Sequence, residues 1–77
     1  MKVKNNTVFQ VVGTVWSTWL PSGLNLTIEM SPDGKSEHFA VIGENIQGPD
    51  MFQCSGFNNN SYFRISGLGD SELDISL

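Results

Sequence analysis

A strict alternation of apolar and polar side chains in the middle of the chain constrains the fold more than any other feature. The alternation covers residues 24–30, Leu24-Asn25-Leu26-Thr27-Ile28-Glu29-Met30. Successive side chains of a β-strand point to opposite faces of a sheet, so this segment is predicted to be a strand with one buried and one solvated face. Ser31-Pro32-Asp33-Gly34 then has the residues of a tight turn. A second strand, expected from Glu37 to Ile42, completes a hairpin.

The segment from Thr7 to Leu20 is predicted to be a long first strand that is apolar on both faces. Gly13 lies inside it, and a glycine within a strand often marks a bulge or a tight bend. A long strand that bends and contributes to two faces is typical of small barrels and orthogonal sandwiches. Pro21-Ser22-Gly23 is expected to end the strand as a turn.

The rest of the chain consists of short apolar segments separated by turn residues. Residues 43–50, which include Gly48-Pro49, are expected to form a loop, and Asn58-Asn59-Asn60 is expected to be a turn. Further strands are expected at 51–57, 61–66 and 73–77, and no segment has the apolar spacing of a long helix. We therefore predict a single all-β domain, residues 1–77, of about five to six antiparallel strands. It is either barrel-like (OB-like or SH3-like) or a small sandwich.

A chain of 77 residues is small for a self-sufficient core, so the means of stabilising it matter. With a single cysteine, Cys54, no disulfide can form within the chain, and Cys54 and His38 alone cannot build a structural metal site. Self-association is the remaining means, and a homo-oligomer is expected. The formal net charge is −4 and the few cations are scattered along the chain, so binding to duplex nucleic acid is not expected.

Few residues in the chain are suited to catalysis. His38 and Cys54 would form a base and nucleophile pair only if the fold placed them together with an orienting third group. Cys54 alternates with Phe52 and is expected to be a small buried apolar residue. Gly67 and Gly69 are not followed by the third glycine and the helix of a phosphate-binding loop. We predict a protein that is not an enzyme, with no cofactor and no bound metal.

Two features are candidates for binding a protein partner. Trp16 and Trp19 are three positions apart and therefore face opposite sides of a regular strand, so one is expected in the core and the other on the surface as an anchor. The acidic residues Asp70, Glu72 and Asp74 cluster near the C-terminal end, where Glu72 and Asp74 share the outer face of a strand. Such a cluster either complements a basic partner or is a solvated charged edge.

Three functions remain open. The leading prediction is a small non-catalytic binding protein that acts through protein–protein contact, as an inhibitor of a larger enzyme or of a nucleic-acid-binding complex. The first alternative is a structural subunit of a homo-oligomeric viral or secreted assembly, in which neighbouring copies satisfy unpaired sheet edges. The second is an OB-like protein that binds single-stranded nucleic acid on aromatic side chains. The sequence has no signal-peptide pattern and no apolar run of the roughly 18 residues that span a membrane, so a soluble, cytoplasmic protein is expected.

Overall fold

A computed structural model of the chain describes residues 1–13, 15–56 and 60–77. These residues form eight β-strands and one short 3-10 turn, Ser36–His38, and no α-helix. In chain order the strands are β1 (Lys2–Lys4), β2 (Val8–Val12), β3 (Val15–Leu20), β4 (Asn25–Ser31), β5 (Ala40–Gln47), β6 (Asp50–Ser55), β7 (Asn60–Ser66) and β8 (Glu72–Ser76). The all-β prediction is confirmed, but the number of strands is higher than the five to six expected.

The strands form two antiparallel sheets of four strands each, which pack face to face. Sheet I has the order β1-β8-β3-β6, and sheet II has the order β2-β7-β4-β5. The barrel-like prediction is wrong, because the strands form two separate sheets and do not close into one. The short connections between β1 and β2 and between β5 and β6 pass from one sheet to the other. Strands β1 and β2 therefore lie along one side of the sandwich, and β5 and β6 lie along the opposite side.

Alternate side chains of both sheets fill the space between them. In β4, the strand with the clearest sequence pattern, Leu26, Ile28 and Met30 are all buried, which confirms that prediction. The centre of the core is the indole of Trp16, whose ring lies edge-on to Phe63 of the opposite sheet at 5.4 Å between centroids and edge-on to Phe9 at 5.8 Å. Edge-to-face contacts of this kind are favourable beyond the apolar area that they bury.

The predicted first strand, Thr7 to Leu20, is two strands in different sheets. Strand β2 belongs to sheet II and β3 to sheet I, and Gly13 directly follows the end of β2. Gly13 has a φ of +126°, which residues with a Cβ rarely adopt. The bend expected at this glycine is confirmed. The segment 7–20 is apolar on both faces because β2 and β3 belong to different sheets and each buries its own set of side chains.

The hairpin after β4 is longer than predicted. Residues expected to begin the next strand, Glu37 and His38, form the 3-10 turn instead, and β5 begins only at Ala40. Strand β5 then continues through residues 43–47, which were expected to be a loop. It pairs with β4 with two register shifts, because it carries extra residues as bulges. The bulges remove the regular alternation by which a strand is detected in a sequence.

The ends of the other strands follow the predictions more closely. Leu73 and Ile75 face the core of the sandwich as expected, whereas Leu77 is exposed, because β8 ends at Ser76. Strand β1 was not expected, since its three residues are too short to show a pattern. Phe57 at the end of the expected 51–57 strand, and Asn58 and Asn59 of the expected turn, lie outside the described residues.

Candidate binding surface

The outer side of sheet II is partly covered by the connection between β4 and β5. Gly34 in this connection lies against the ring of Tyr62, since a Cβ at Gly34 would be 2.9 Å from a ring carbon. The Phe39 ring lies 4.4 Å from the guanidinium carbon of Arg64, and Arg64 also donates to the Glu29 carboxylate from its Nε at 3.0 Å. These contacts cover the middle strands of the sheet, β4 and β7, whereas Val8 and Val12 of the edge strand β2 are exposed.

The outer side of sheet I carries an exposed tryptophan and methionine side by side. Trp19 of β3 and Met51 of β6 are opposite each other in the antiparallel register, and they are 56% and 60% exposed. We define the Trp19–Met51 patch as the outward-facing residues of these two strands, which are Val15, Ser17, Trp19, Met51, Gln53 and Ser55. None of them is charged. Tryptophan and methionine are enriched in the buried centre of protein interfaces, and charged residues are depleted there.

The two tryptophans have different environments, as the three-residue spacing predicted. Trp16 is only 1% exposed and belongs to the core, whereas Trp19 points to solvent on the opposite face of β3. Trp16 was a candidate partner-binding residue together with Trp19. Its side chain is enclosed between the sheets, so any direct contact with a partner would have to come from Trp19.

Two of the three candidate acidic residues face lysines of the neighbouring strand. Glu72 of β8 lies opposite Lys4 of β1, and Asp74 lies opposite Lys2. Asp74 also accepts from the N-terminal ammonium of Met1 at 3.3 Å. Opposite charges at facing positions of two strands attract each other, so we expect these acids to favour the attachment of β1. The sequence separates the partners by about seventy positions and so gave no sign of this pairing.

Asp74 also borders the Trp19–Met51 patch. Strand β8 pairs with β3 through Ser17↔Ser76 and Thr18↔Ile75, and the next step of this register brings Asp74 beside Trp19. The buried Thr18 hydroxyl donates to the Asp74 carbonyl at 2.8 Å and holds the two strands together there.

Asp70 is farther away, in the turn before β8. It lies at an open polar depression of about 460 Å³ whose lining includes Lys4 and Glu72.

An aspartate and a histidine in the β4–β5 connection form a pair that no sequence pattern predicted. His38 Nδ1 lies 2.5 Å from Asp33 Oδ2, while Asp33 Oδ1 accepts from the Lys35 N–H and the Ser31 hydroxyl, both at 3.0 Å. The backbone donor of Lys35, followed by the His38 and Ser31 hydrogen bonds, lowers the pKa of Asp33 from its ordinary 3.8 to about 2. All these bonds join residues of one turn, so the carboxylate serves as a brace for the connection.

Cys54 and His38 do not form a nucleophile and base pair. Cys54 faces the core from β6 of sheet I, and burial raises the pKa of its thiol. His38 is exposed on the connection outside sheet II, and its ring is bonded to Asp33. A thiolate nucleophile needs a lowered pKa and access to substrate, and Cys54 has neither. Cys54 is the small buried apolar residue that its alternation with Phe52 predicted.

Among the described residues, the aromatic side chains do not form one stacking surface. Trp16 and Phe63 are in the core, whereas Trp19 and Tyr62 lie on the outer sides of different sheets. Base stacking needs several rings along one exposed groove with cations beside it. The two sheets do not close into a barrel, so the fold differs from the OB-like barrel of that alternative.

Comparison of the chain with protein-family models, with curated proteins and with solved structures gave no match. Within the described ranges, no helix has the length and apolar character needed to cross a membrane. In the same ranges, no group of three or more histidine, cysteine or acidic side chains is arranged to hold a metal ion.

Proposed function

We propose that this protein is a small non-catalytic binding protein that acts by protein–protein contact through the Trp19–Met51 patch. The observation that carries the proposal is the direct pairing of two large apolar side chains, each more than half exposed, on an uncharged part of sheet I. Removing such side chains from water on binding contributes roughly 25 cal/mol for each Å² of apolar surface. Apolar side chains that adjoin each other and have polar residues around them favour a binding site more than apolar side chains scattered singly.

The surroundings of the patch fit this role. Trp19 is held on a strand whose other face is packed in the core, so its backbone is already fixed before a partner binds. A rigid anchor loses less conformational entropy on binding than one carried by a loop. Met51 has a flexible side chain that can adapt to the shape of the partner. Asp74, with Lys2 opposite it, provides the polar rim on the β8 side. The form of binding that we favour is inhibition, in which the patch covers a surface of a larger enzyme.

A comparison of three forms of the chain tests this proposal. Affinity-tagged wild type, Trp19→Ser and Val41→Ser are used to capture proteins from nuclease-treated lysate, followed by mass spectrometry. Val41 is the matched control, because it is also a large apolar side chain that is half exposed, but it lies on β5 of sheet II. We expect a stoichiometric protein with the wild type and with Val41→Ser that is lost with Trp19→Ser.

The opposite pattern would contradict the proposal. If wild type and Trp19→Ser retain the same proteins in the same amounts, the Trp19–Met51 patch is not the binding surface. Nuclease treatment removes proteins that are held only through nucleic acid. Circular dichroism of Trp19→Ser must show a folded β protein, and this is expected because the Trp19 side chain is outside the core.

A further inference from the structure

We infer that the free edge of β2 is a self-association surface, on which a second copy of this chain adds its own β2 around a two-fold axis at Gln10. The free edge of a sheet leaves unpaired N–H and C=O groups that can pair with another strand, and natural proteins usually block such edges. The sandwich has four edge strands, β1 and β6 in sheet I and β2 and β5 in sheet II. Three of them are blocked in the described structure, and β2 is not.

The edges of sheet I are blocked in two different ways. Strand β1 has only three residues, and two of them are Lys2 and Lys4. A short strand with lysines is a poor template for further pairing. In β6, the backbone N–H of Met51 donates to the Asp50 carboxylate at 2.8 Å. That carboxylate occupies a backbone donor at the start of β6 and adds a negative charge next to it.

Strand β5 is blocked by its shape. Its pairing with β4 has register shifts on both sides of Ile28, and Asn45 has a φ of +55°. Bulges of this kind twist a strand and interrupt the regular spacing of its free backbone groups. A second strand could not follow β5 over its length.

Strand β2 has none of these features. Its five residues pair with β7 in an unbroken register from Val8↔Arg64 to Val12↔Asn60, and none of the five is charged or a proline. Antiparallel pairing leaves alternate residues with their backbone N–H and C=O directed away from the neighbouring strand. The edge of β2 is therefore regular, uncharged and suited to accept a strand.

The residue pattern of β2 favours a second copy as the occupant. Its sequence, Val8-Phe9-Gln10-Val11-Val12, is nearly symmetric about Gln10. In an antiparallel two-fold pair centred there, each Val8 faces Val12 of the other copy, each Phe9 faces Val11, and Gln10 faces Gln10. Val8 and Val12 are 42% and 71% exposed, and pairs of β-branched side chains facing each other are favourable. Sheet II would become a continuous eight-stranded sheet.

This interface is independent of the proposed partner-binding surface. Strands β1 and β2 lie on one side of the sandwich and β6 lies on the other, so the dimer leaves Trp19 and Met51 free. Two strands of five residues bury less than a standard interface, so we expect a weak dimer with a dissociation constant of roughly tens of micromolar. A wild type that does not dimerise would leave the Trp19–Met51 proposal intact. A Trp19→Ser variant that keeps all its partners would leave the β2 dimer intact.

Sedimentation equilibrium of wild type, Gln10→Lys and Gln47→Lys tests the inference. Both glutamines are exposed residues of an edge strand of sheet II, but Gln47 is on β5, outside the Trp19–Met51 patch. In the Gln10→Lys dimer two ammonium groups face each other at the axis, so the dissociation constant should rise about tenfold or more relative to wild type. Gln47→Lys should dimerise like wild type. A wild type that stays monomeric at about 500 µM, well above the expected dissociation constant, would overturn the inference, as would an equal or larger effect of Gln47→Lys.

A cross-linking measurement tests the register and does not depend on Gln10→Lys being folded. Directly facing Cβ atoms of two antiparallel strands are about 4.5–5.5 Å apart, close to the separation in a disulfide. Gln10→Cys should therefore form a covalent dimer under mild oxidation much faster than Gln47→Cys. The native Cys54 is buried and its thiol pKa is raised, so its contribution to cross-linking should be small. Equal rates for the two variants would overturn the two-fold axis at Gln10.

Discussion

Removal of Trp16 and removal of Trp19 should have opposite consequences for the protein. The free energy of unfolding of a chain of 77 residues is about 4 to 12 kcal/mol by the usual scaling with length. Trp16 is enclosed and contacts the rings of Phe9, Phe52 and Phe63. Replacing an enclosed tryptophan by alanine costs about 3 to 5 kcal/mol, because apolar contacts are lost and a cavity remains. Trp16→Ala should therefore lose a large part of the total stability.

Trp19→Ala should change the free energy of unfolding by no more than about 0.5 kcal/mol, since the side chain is largely solvated in the folded state.

Trp16→Phe should have a stability between those of wild type and Trp16→Ala. The Trp16 indole N–H donates to no atom of the described residues although it is buried. A buried donor without a partner is itself unfavourable by about 1 to 3 kcal/mol. Phenylalanine removes that donor and keeps a ring, so Trp16→Phe should cost much less than Trp16→Ala.

Urea unfolding followed by far-ultraviolet circular dichroism measures these differences without relying on tryptophan fluorescence. With a slope of about 1 kcal/mol per molar urea, a loss of 3 kcal/mol lowers the midpoint by about 3 M. The midpoint of Trp19→Ala should differ from that of wild type by less than about 0.5 M on the same slope. Equal losses for Trp16→Ala and Trp19→Ala would refute the assignment of Trp16 to the core and Trp19 to the surface.

Three further variants test other parts of the structure. Gly67→Ala should lower the free energy of unfolding, measured in urea, by more than about 3 kcal/mol, and Gly69→Ala by only about 1 kcal/mol. Both glycines have positive φ, but only a Cβ on Gly67 would meet a backbone oxygen, at 2.2 Å. Equal losses for the two variants would contradict the packing of this turn. Asp74→Lys places two lysines opposite each other on β1 and β8, so the free energy of unfolding should fall by about 0.5 kcal/mol. Adding Lys2→Glu should restore it, and a double variant without this recovery would mean that β1 and β8 pair in another register. The lowered pKa of Asp33 makes its charged form stabilising above about pH 4, and this contribution is lost as the pH falls towards 2. The unfolding free energies of wild type and Asp33→Asn should therefore converge between pH 5 and pH 2, and a difference that stays constant with pH would count against the turn brace.

The parts of the fold that the sequence predicted are those with a local signal. Leu26, Ile28 and Met30 repeat with the period of a strand, and the structure buries all three. Gly13 marked the bend between β2 and β3 because its freedom to adopt positive φ is a property of the residue itself. Strand β5 was missed because its bulges break the alternation, which depends on how it pairs with β4.

The candidate surface could be predicted only in part for a similar reason. The spacing of Trp16 and Trp19 places them on opposite faces of β3, but which face is buried depends on where the second sheet packs. Met51 is a single apolar residue in a strand, and it becomes part of a surface only through the register that sets it opposite Trp19. The pairing of Asp74 with Lys2 is also a consequence of strand order, which a single sequence does not encode locally.

Acrylamide quenching of tryptophan fluorescence measures whether Trp19 is the anchor of a protein interface. The measurement compares the free chain with its complex with the protein recovered by capture. Trp16 is enclosed in the core, so the change in quenching reports on Trp19 once the signal of the partner's own tryptophans has been subtracted. We expect Trp19 to be readily quenched in the free chain and protected in the complex. A Trp19 that stays equally accessible to acrylamide in a stoichiometric complex would contradict it.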